Sequence, residues 1–403
     1  MERLLLLRDH WFRLCRERTQ IHRKAKKLSV MNRAIKYRLY PTKEQEAMFA
    51  RTFGCCRKVW NLMLSDKNDF YRETGKLLHN TPAAYKEEYP YLREVDSLAL
   101  ANVQLNLQAA YRNFFRDKKV GFPKFKSAKR SRKAYTTNNQ GGTVALRPNG
   151  IRLPKVGTVR AVVHRLPEEG WALKSATVSM ESDGKYYASV LFEYEQHTEP
   201  VSIHTDSAIG LDYKSDGLYM DSRGHTGSFH KYYRESQQKL AKAQRRLSRK
   251  QGSRKGEEKS RNYLKQLRKV NRIHRHTANQ RLDHLHKLSA EIANQYDIVC
   301  VEDLDMKALS NKGFGNGKAT MDNGYGMFME ILQYKLADRG KHFVRVGRWF
   351  PSSQACCACG AIHPEMKDLN IRTMDCGCGN HMDRDHNAAV NILQEGLRIL
   401  RSA

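Results

Sequence analysis

Cys376-Gly377-Cys378-Gly379-Asn380-His381-Met382-Asp383-Arg384-Asp385-His386-Asn387-Ala388-Ala389 is the stretch on which the reading of this chain turns. Upstream of it, Cys356 and Cys359 form a C-x-x-C that matches the tighter C-x-C of Cys376 and Cys378. Two close thiol pairs separated by a short polar loop are what tetrahedral Zn²⁺ requires of a ribbon. Cys356, Cys359, Cys376 and Cys378 are therefore the candidate ligands of one structural Zn²⁺. Cys357, His363 and His381 lie close enough in sequence to compete with them. The helix expected from Ala388 onward places Asp385 at its mouth, and an acid fixed beside a ribbon points to a second, harder metal site.

Further out, two apolar runs end in acids: Ile209-Gly210-Leu211-Asp212 and Val299-Cys300-Val301-Glu302. Both read as buried strands, so their acids stand at the edge of a sheet core. Three converging carboxylates, Asp212, Glu302 and Asp385, can hold two Mg²⁺ ions roughly 3.5–4 Å apart. Mg²⁺ favours such oxygen ligands and keeps some of its waters. A single strand-end aspartate usually caps a turn. The order strand–Asp, strand–Glu, ribbon, Asp-before-helix is far more specific, and it is the order of a RuvC-type, RNase H-like nuclease. Asp303, Asp305 and Asp383 are expected to brace their surroundings.

Charge points the same way. Lys and Arg number 72 against 42 Asp and Glu, for a formal net charge of +30 over 403 residues. Such a field attracts polyanions, nucleic acid first. No run approaches the roughly eighteen apolar residues of a membrane span, and Leu4–Leu7 carries no small-residue cleavage site after it. Of nine cysteines, five crowd into the terminal hairpin while Cys15, Cys55, Cys56 and Cys300 are scattered. That distribution suits metal binding in a reducing compartment, so a soluble intracellular protein is expected.

The pattern along the chain gives an α/β multidomain protein. Residues 1–30 are expected to be a basic arm or an extension. Residues 31–41 alternate as a strand stopped by Pro41, and short strands resume over 131–203, among them a hairpin of Ala176–Met180 with Tyr186–Phe192. Together these predict a β-barrel domain interrupted by a helical block over 42–130, opened by a capping box at Thr42-Lys43-Glu44-Gln45. Tyr111, Phe114 and Phe115 are expected in the core of that block, with base stacking the alternative. The nuclease-type domain covers 204–351 and 381–403, with further strands at Gly217–Asp221 and Gly224–Phe229, and the ribbon covers 352–380. A mobile loop is expected over Asn311–Gly326.

A helical pair from Tyr232 to about Gln295, broken at Gly252-Ser253 and Gly256, carries Arg245, Arg246, Arg249, Lys265, Arg268, Lys269, Arg272 and Arg275. Its apolar stripe is Leu240, Leu247, Leu264, Leu267 and Val270. A solvated face normally mixes charge signs; here one sign dominates, which fits phosphate binding. Such contacts give position and affinity rather than sequence. Lys124 and Lys126 sit in Gly121-Phe122-Pro123-Lys124-Phe125-Lys126, whose interleaved aromatics fit either a sugar-phosphate backbone or a basic loop crossing a core edge.

From Met31 onward the chain resembles the TnpB (OrfB) family of transposon-encoded proteins, relatives of the type V CRISPR nucleases. The resemblance is carried by Tyr37-Arg38-Leu39-Tyr40-Pro41-Thr42, Phe53-Gly54-Cys55-Cys56-Arg57, Gly210-Leu211-Asp212, Val301-Glu302-Asp303-Leu304, Ser352-Ser353-Gln354-x-Cys356 and Asp383-Arg384-Asp385-x-Asn387-Ala388-Ala389. It implies an RNA-guided DNA endonuclease with one RuvC site at Asp212, Glu302 and Asp385, and it makes the barrel a wedge domain and the helical block a recognition domain. The implied partners are a guide RNA from the transposon end, one protein per RNA, and double-stranded target DNA beside a short flanking motif. Thr52–Lys58 and Lys76–Asn80 are candidate readers of that motif. A bacterial or archaeal cytoplasmic, nucleoid-associated location follows. Lys214 stands where the family often has glycine, narrowing the approach to Asp212. A non-cleaving RNA-guided repressor of the same lineage is the alternative; an unguided basic RNA-binding protein leaves the three acids unexplained.

Overall fold

The computed structural model describes residues 30–195, 199–250, 259–310 and 322–402. The basic arm before Val30, the break at Gly252, Ser253 and Gly256, and most of the expected loop (311–321) lie outside the described residues. The chain divides into two compact units, Met1–His197 and Thr198–Ala403.

In the first unit, β1 (Val30–Tyr40) alternates as its sequence demands. Ile35, Tyr37 and Leu39 are buried, while Ala34, Lys36 and Tyr40 face outward. Pro41 ends the strand and Thr42 starts α1 (Lys43–Thr74). Thr42 Oγ1 accepts from the Gln45 amide at 3.3 Å and Gln45 Oε1 accepts from the Thr42 amide at 3.1 Å, closing the capping box. Gly75, at φ 66°, supplies the left-handed residue that terminates the helix. Two short 3-10 turns lead to α2 (Ser97–Arg116), capped by Asp96, whose carboxylate accepts from the Leu98 amide at 3.0 Å. Phe49, Phe53, Val59, Trp60 and Met63 of α1 share one core with Leu100, Val103 and Leu107 of α2 and with the sheet. Each large side chain fully buried there contributes about 1.5–3 kcal/mol.

After α2 come β2 (Lys133–Asn138), β3 (Ala145–Arg147), β4 (Gly150–Leu153), β5 (Gly157–Val162), β6 (Ala172–Met180) and β7 (Tyr186–Glu195). They pair in the order β2-β6-β7-β1-β5-β4-β3. β1 is thus central, antiparallel to β7 on one side and to β5 on the other. The hydrogen-bonded order runs from β2 to β3, so closure of the sheet into the expected barrel does not follow from its pairing. Alternation predicts strands and their faces, but closure depends on shear between distant strands, which local pattern does not encode. The helical reading over 42–130 also breaks at residues 75–96 and after Arg116.

The second unit is built on β8 (Ala208–Lys214), β9 (Leu218–Asp221), β10 (Ile298–Glu302) and β11 (His342–Val346), in the order β11-β10-β8-β9. β10 runs parallel to both β8 and β11, and β9 antiparallel to β8. Gly224–Phe229 does not form the expected strand; Thr226 makes a single bridge to Met220. Helices α3 (Tyr232–Arg249), α4 (Arg261–Gln295), α5 (Tyr325–Ala337) and α6 (Arg384–Arg401) complete the unit, with the two-stranded β12 (Thr373–Asp375) and β13 (His381–Asp383) in the cysteine-rich segment.

Both faces of the sheet are covered, which explains the continuous apolar runs in its parallel strands. Ile209, Leu211, Val299 and Val301 meet Leu285, Leu288 and Ile292 of α4 and Phe328 and Leu332 of α5. Ala208, Ile298, Cys300 and Val344 meet Ile392, Leu393 and Leu397 of α6. That helix lies directly on the strands: a Cβ on Gly210 would strike the Ala389 carbonyl, and one on Gly396 would strike Cys300 Sγ. Among the described residues, no helix is long and apolar enough to cross a membrane.

Candidate carboxylate site and metal centre

Asp212 lies near the C-terminal end of β8 and Glu302 ends β10. Because Val301 pairs with Leu211 in parallel register, the two acids sit at the same end of adjacent strands. Asp385 comes from the first turn of α6, not from a loop ahead of it: the helix starts at Arg384, four residues before the expected Ala388. Asp383 is the N-cap, its carboxylate accepting from the amides of Asp385 (2.9 Å) and His386 (3.1 Å). That cap fixes the turn that carries Asp385.

Electrostatics ties the three acids together. Burial, then the Glu302 and Asp385 charges, raise the Asp212 carboxyl well above the carboxylate range, against the Tyr213 amide and Arg384, which lower it. Burial and then the neighbouring Asp303 charge push Glu302 up to about 7. Asp385 pairs with Lys214 at 3.2 Å, each about one-fifth exposed. Asp303 is itself held by Arg345 (3.3 Å) and Arg348 (3.5 Å), and Asp305 accepts from the Ala308 amide, so both serve local structure. The donor set is all oxygen, and two of its members resist ionising until a cation offsets them, which fits a hard divalent metal. Tight convergence of ligand atoms among the described residues is confined to the cysteines.

Beside the acids, Tyr325 is 1% exposed, packs on Tyr213 with ring centroids 4.9 Å apart, and has a buried hydroxyl with no hydrogen-bond partner. The Asp212 and Glu302 charges both act on it, after burial, to raise it. Asn323, fully buried, accepts from the Tyr325 amide at 3.2 Å and donates to the Tyr213 hydroxyl at 3.3 Å. The sequence reading passed over this group because it opens a helix after a glycine-rich loop; polar Asn323 and Tyr325 beside the apolar face of α5 were the available signal.

The raised Glu302 has a measurable consequence. Its folded carboxyl keeps a proton that the unfolded chain releases above its ordinary 4.5. The stabilisation is therefore fully present below about pH 4.5 and is lost as pH rises through about 7, a change of about 3 kcal/mol at most. In magnesium-free buffer supplemented with Zn²⁺, urea unfolding at pH 5 and pH 8 should show this loss. Glu302→Gln should reduce this loss, leaving the part contributed by the likewise raised Asp212; an equally steep variant would remove Glu302 as a source.

The four cysteines Cys356, Cys359, Cys376 and Cys378 bring their Sγ atoms within 4.8 Å of one another. Cys356–Cys378 and Cys359–Cys376 are each 3.6 Å apart. That is too long for a disulfide and close to the edge of about 3.8 Å that follows from tetrahedral Zn–S bonds of about 2.3 Å. At Cys356 burial acts upward, but the Cys359 and Ala358 amides, Asn380 and the Cys378 thiol bring it down to about 6, while Cys376 is pushed up to about 12, so the cluster as a whole shares its protons. Cys357 stands apart, its sulfur against Met382 and its amide donating to Asn387 Oδ1 at 2.9 Å. His363 pairs with Glu365 and His381 with Asp375, so neither joins the set.

Asn side chains couple this centre to α6. Asn387 Nδ2 donates to the Ala355 carbonyl at 2.7 Å, and Asn391 Nδ2 donates to those of Ser352 and Ala355 at 2.8 and 2.7 Å. Arg384 reaches the Asp368 carbonyl at 2.8 Å.

The basic residues separate into two groups. α3 and α4 carry fourteen Lys and Arg against three acids, and pack through Leu240, Ala243 and Val270. Arg245, Arg246, Arg249, Lys265, Arg268, Lys269 and Arg272 are exposed. Arg275 is half-buried, and Leu264 is 43% exposed rather than part of the stripe. In the first unit the 121–126 segment crosses a core edge. Trp60 donates to the Lys124 carbonyl, Asn61 bonds the Lys126 backbone, and the Lys126 ammonium lies 3.6 Å from the Trp60 ring centroid. Thr52, Phe53, Cys55 and Cys56 are buried, so that stretch of the expected motif reader faces the core.

Residues 31–76 match a family model described as "Helix-turn-helix domain", 191–312 one described as "Probable transposase", and 325–392 one described as "Cas12f1-like, TNB domain". Over 31–76 the structure has β1 and one continuous helix, α1. A Streptomyces pristinaespiralis protein named "Putative RNA-guided DNA endonuclease" is 36% identical over 383 residues, covering 91% of this chain and 90% of the relative. Escherichia coli K12 "Putative RNA-guided DNA endonuclease InsQ" is 30% identical over 390 residues, covering 91% and 93%. The protein in a cryo-EM structure of a Cas12f1-sgRNA-target DNA complex shares the fold at TM-score 0.57 and 13% identity, over 90% of this chain and 98% of that one.

Proposed function

The chain belongs to the TnpB (OrfB) family, and from that premise we propose that it is an RNA-guided DNA endonuclease cutting double-stranded DNA at one RuvC-type site. The observation that carries this reading is the placing of Asp212 and Glu302 at one end of adjacent parallel strands, with Asp385 on the capped helix behind them. In this reading residues 204–351 and 381–403 are the nuclease domain and 352–380 the ribbon. Residues 31–41 and 131–203 are the wedge, and 42–130 the recognition domain.

Asp212, Glu302 and Asp385 would hold Mg²⁺, which when bound lowers the pKa of an attacking water and stabilises the leaving oxygen of a phosphodiester. The chain's own residues set the conditions. Burial of Asp212 and Glu302 strengthens every charge interaction at the strand ends. Asp383 and the asparagines of α6 fix Asp385 against the ribbon, whose cysteines would hold Zn²⁺ in a structural role. The exposed arginines and lysines of α3 and α4 would grip phosphates, so affinity falls steeply with salt. Sequence choice is left to a guide RNA from the transposon end and a short flanking motif.

A second reading, a guided repressor that does not cut, is favoured by the Lys214–Asp385 ion pair, an internal cation at a catalytic position. One experiment separates the two. The protein is expressed beside the transposon-end DNA, copurifying RNA is sequenced, and the complex is given matching plasmid and Mg²⁺. A discrete RNA with linearised plasmid is expected. A discrete RNA with an uncut but bound plasmid would make it a repressor, and a random smear of RNA would sink guidance altogether.

A further inference from the structure

Trp349 is 92% exposed, the most exposed of the large hydrophobic side chains among the described residues. The other described tryptophans are occupied: Trp60 is 7% exposed and Trp171 stacks on Tyr194 with centroids 4.3 Å apart. Its neighbour Phe350 packs into the core under α6. The Gly347–Phe350 turn, closed by the Phe350 amide on the Gly347 carbonyl at 2.9 Å, therefore presents the indole outward. A large amphipathic ring left in water is an informative exception to burial.

The turn is tied to the carboxylate site. Val346, three residues earlier, pairs with Glu302, and the Asp303 amide donates to the Val346 carbonyl at 3.0 Å. Arg348 donates from Nε to the Asp303 carbonyl at 3.1 Å, and Arg345 and Arg348 both reach the Asp303 carboxylate. The indole thus rides on a turn fastened to the residue after Glu302, beside two arginines each 42% exposed.

A lone aromatic among cations is not the broad apolar patch of a protein–protein interface. It has the composition of a single-strand platform, in which bases stack on rings and cations follow the backbone. We infer that Trp349 is a stacking platform for a base of the DNA strand whose phosphodiester enters the Asp212–Glu302 site. The inference rests on the endonuclease reading for the identity of that strand. Stacking one base beside the scissile bond fixes the register of the phosphate, so Trp349 acts as a positioning residue.

The test uses the full chain with its guide RNA. Trp349→Ala should slow single-turnover cleavage about ten-fold, with target binding and thermal midpoint unchanged, and Trp349→Phe should recover most of the rate. Independently, a short oligothymidylate in Ca²⁺ should quench the red-shifted part of the tryptophan emission, and Trp349→Phe should remove that quenched part. Equal cleavage by wild type and Trp349→Ala, or emission untouched by the oligonucleotide, overturns the platform. Wild-type protein that is quenched yet cuts no target overturns the endonuclease reading and leaves the platform standing.

Discussion

Asp212→Ala should retain guide RNA and target DNA while cutting at less than about one-thousandth of the wild-type rate. Charge stabilisation by carboxylate-held metal amounts to several kcal/mol, and each 1.4 kcal/mol is about ten-fold in rate. The loss cannot come from unfolding, because the wild-type group is a liability to the metal-free fold. Its carboxyl is buried beside two like charges, which hold it well above the carboxylate range. Removing it should leave the metal-free thermal midpoint unchanged or higher, as at other sites where function opposes stability. Filter binding with the guided complex, plasmid cleavage and a melting curve give the three readouts together. Retained cleavage would move the site away from the strand ends of β8 and β10.

Cys359→Ser should have the second large effect, through a different route. A structural zinc centre contributes on the order of 10 kcal/mol to the order of its segment, and hydroxyl oxygen is a poor replacement for one of four converging thiolates. Metal content measured by mass spectrometry should fall from one zinc per chain toward none. The asparagines of α6 bond backbone carbonyls and an amide of this segment, so its disorder reaches the turn that carries Asp385. A catalytic group displaced by about 1 Å costs roughly a hundred-fold. DNA affinity should persist, since the exposed cations of α3 and α4 lie outside this segment. Undiminished zinc in the variant would contradict the ligand assignment.

What the sequence made legible followed from local chemistry. The Thr42–Gln45 box, the alternation of Ile35, Tyr37 and Leu39, and the Ala176–Tyr186 hairpin all appear in the structure, because capping and period-two burial are decided within a few residues. The four cysteines were legible because thiolate spacing constrains a metal centre directly. Features set by distant packing were not. The strand order of the seven-stranded sheet needs pairings over more than a hundred residues. The exposure of Leu264 was not legible because a basic helix offers few apolar residues to fix its rotation. α6 starts four residues before the Ala388 that the pattern predicts, because Asp383 is its cap rather than a brace for the ribbon. Tyr325 had only its polar neighbour Asn323 on an otherwise apolar helix face to mark it, and Trp349 had no local signature, since it is defined by what does not surround it.

The central place of β1 has a consequence during synthesis. Its partners on β5 and β7 lie between about 120 and 165 residues downstream. At roughly 5–20 residues per second, a ribosome takes roughly 6 to 30 seconds to deliver them. Through that interval the first strand of the sheet waits with both edges open, while α1 and α2 can already pair with each other. An unpaired apolar strand invites aggregation unless charge interrupts it. Arg33, Lys36 and Arg38, later settled over the rings of Trp171 and Tyr187, supply that charge on an eleven-residue strand, and keep the nascent chain apart from its neighbours until β7 emerges.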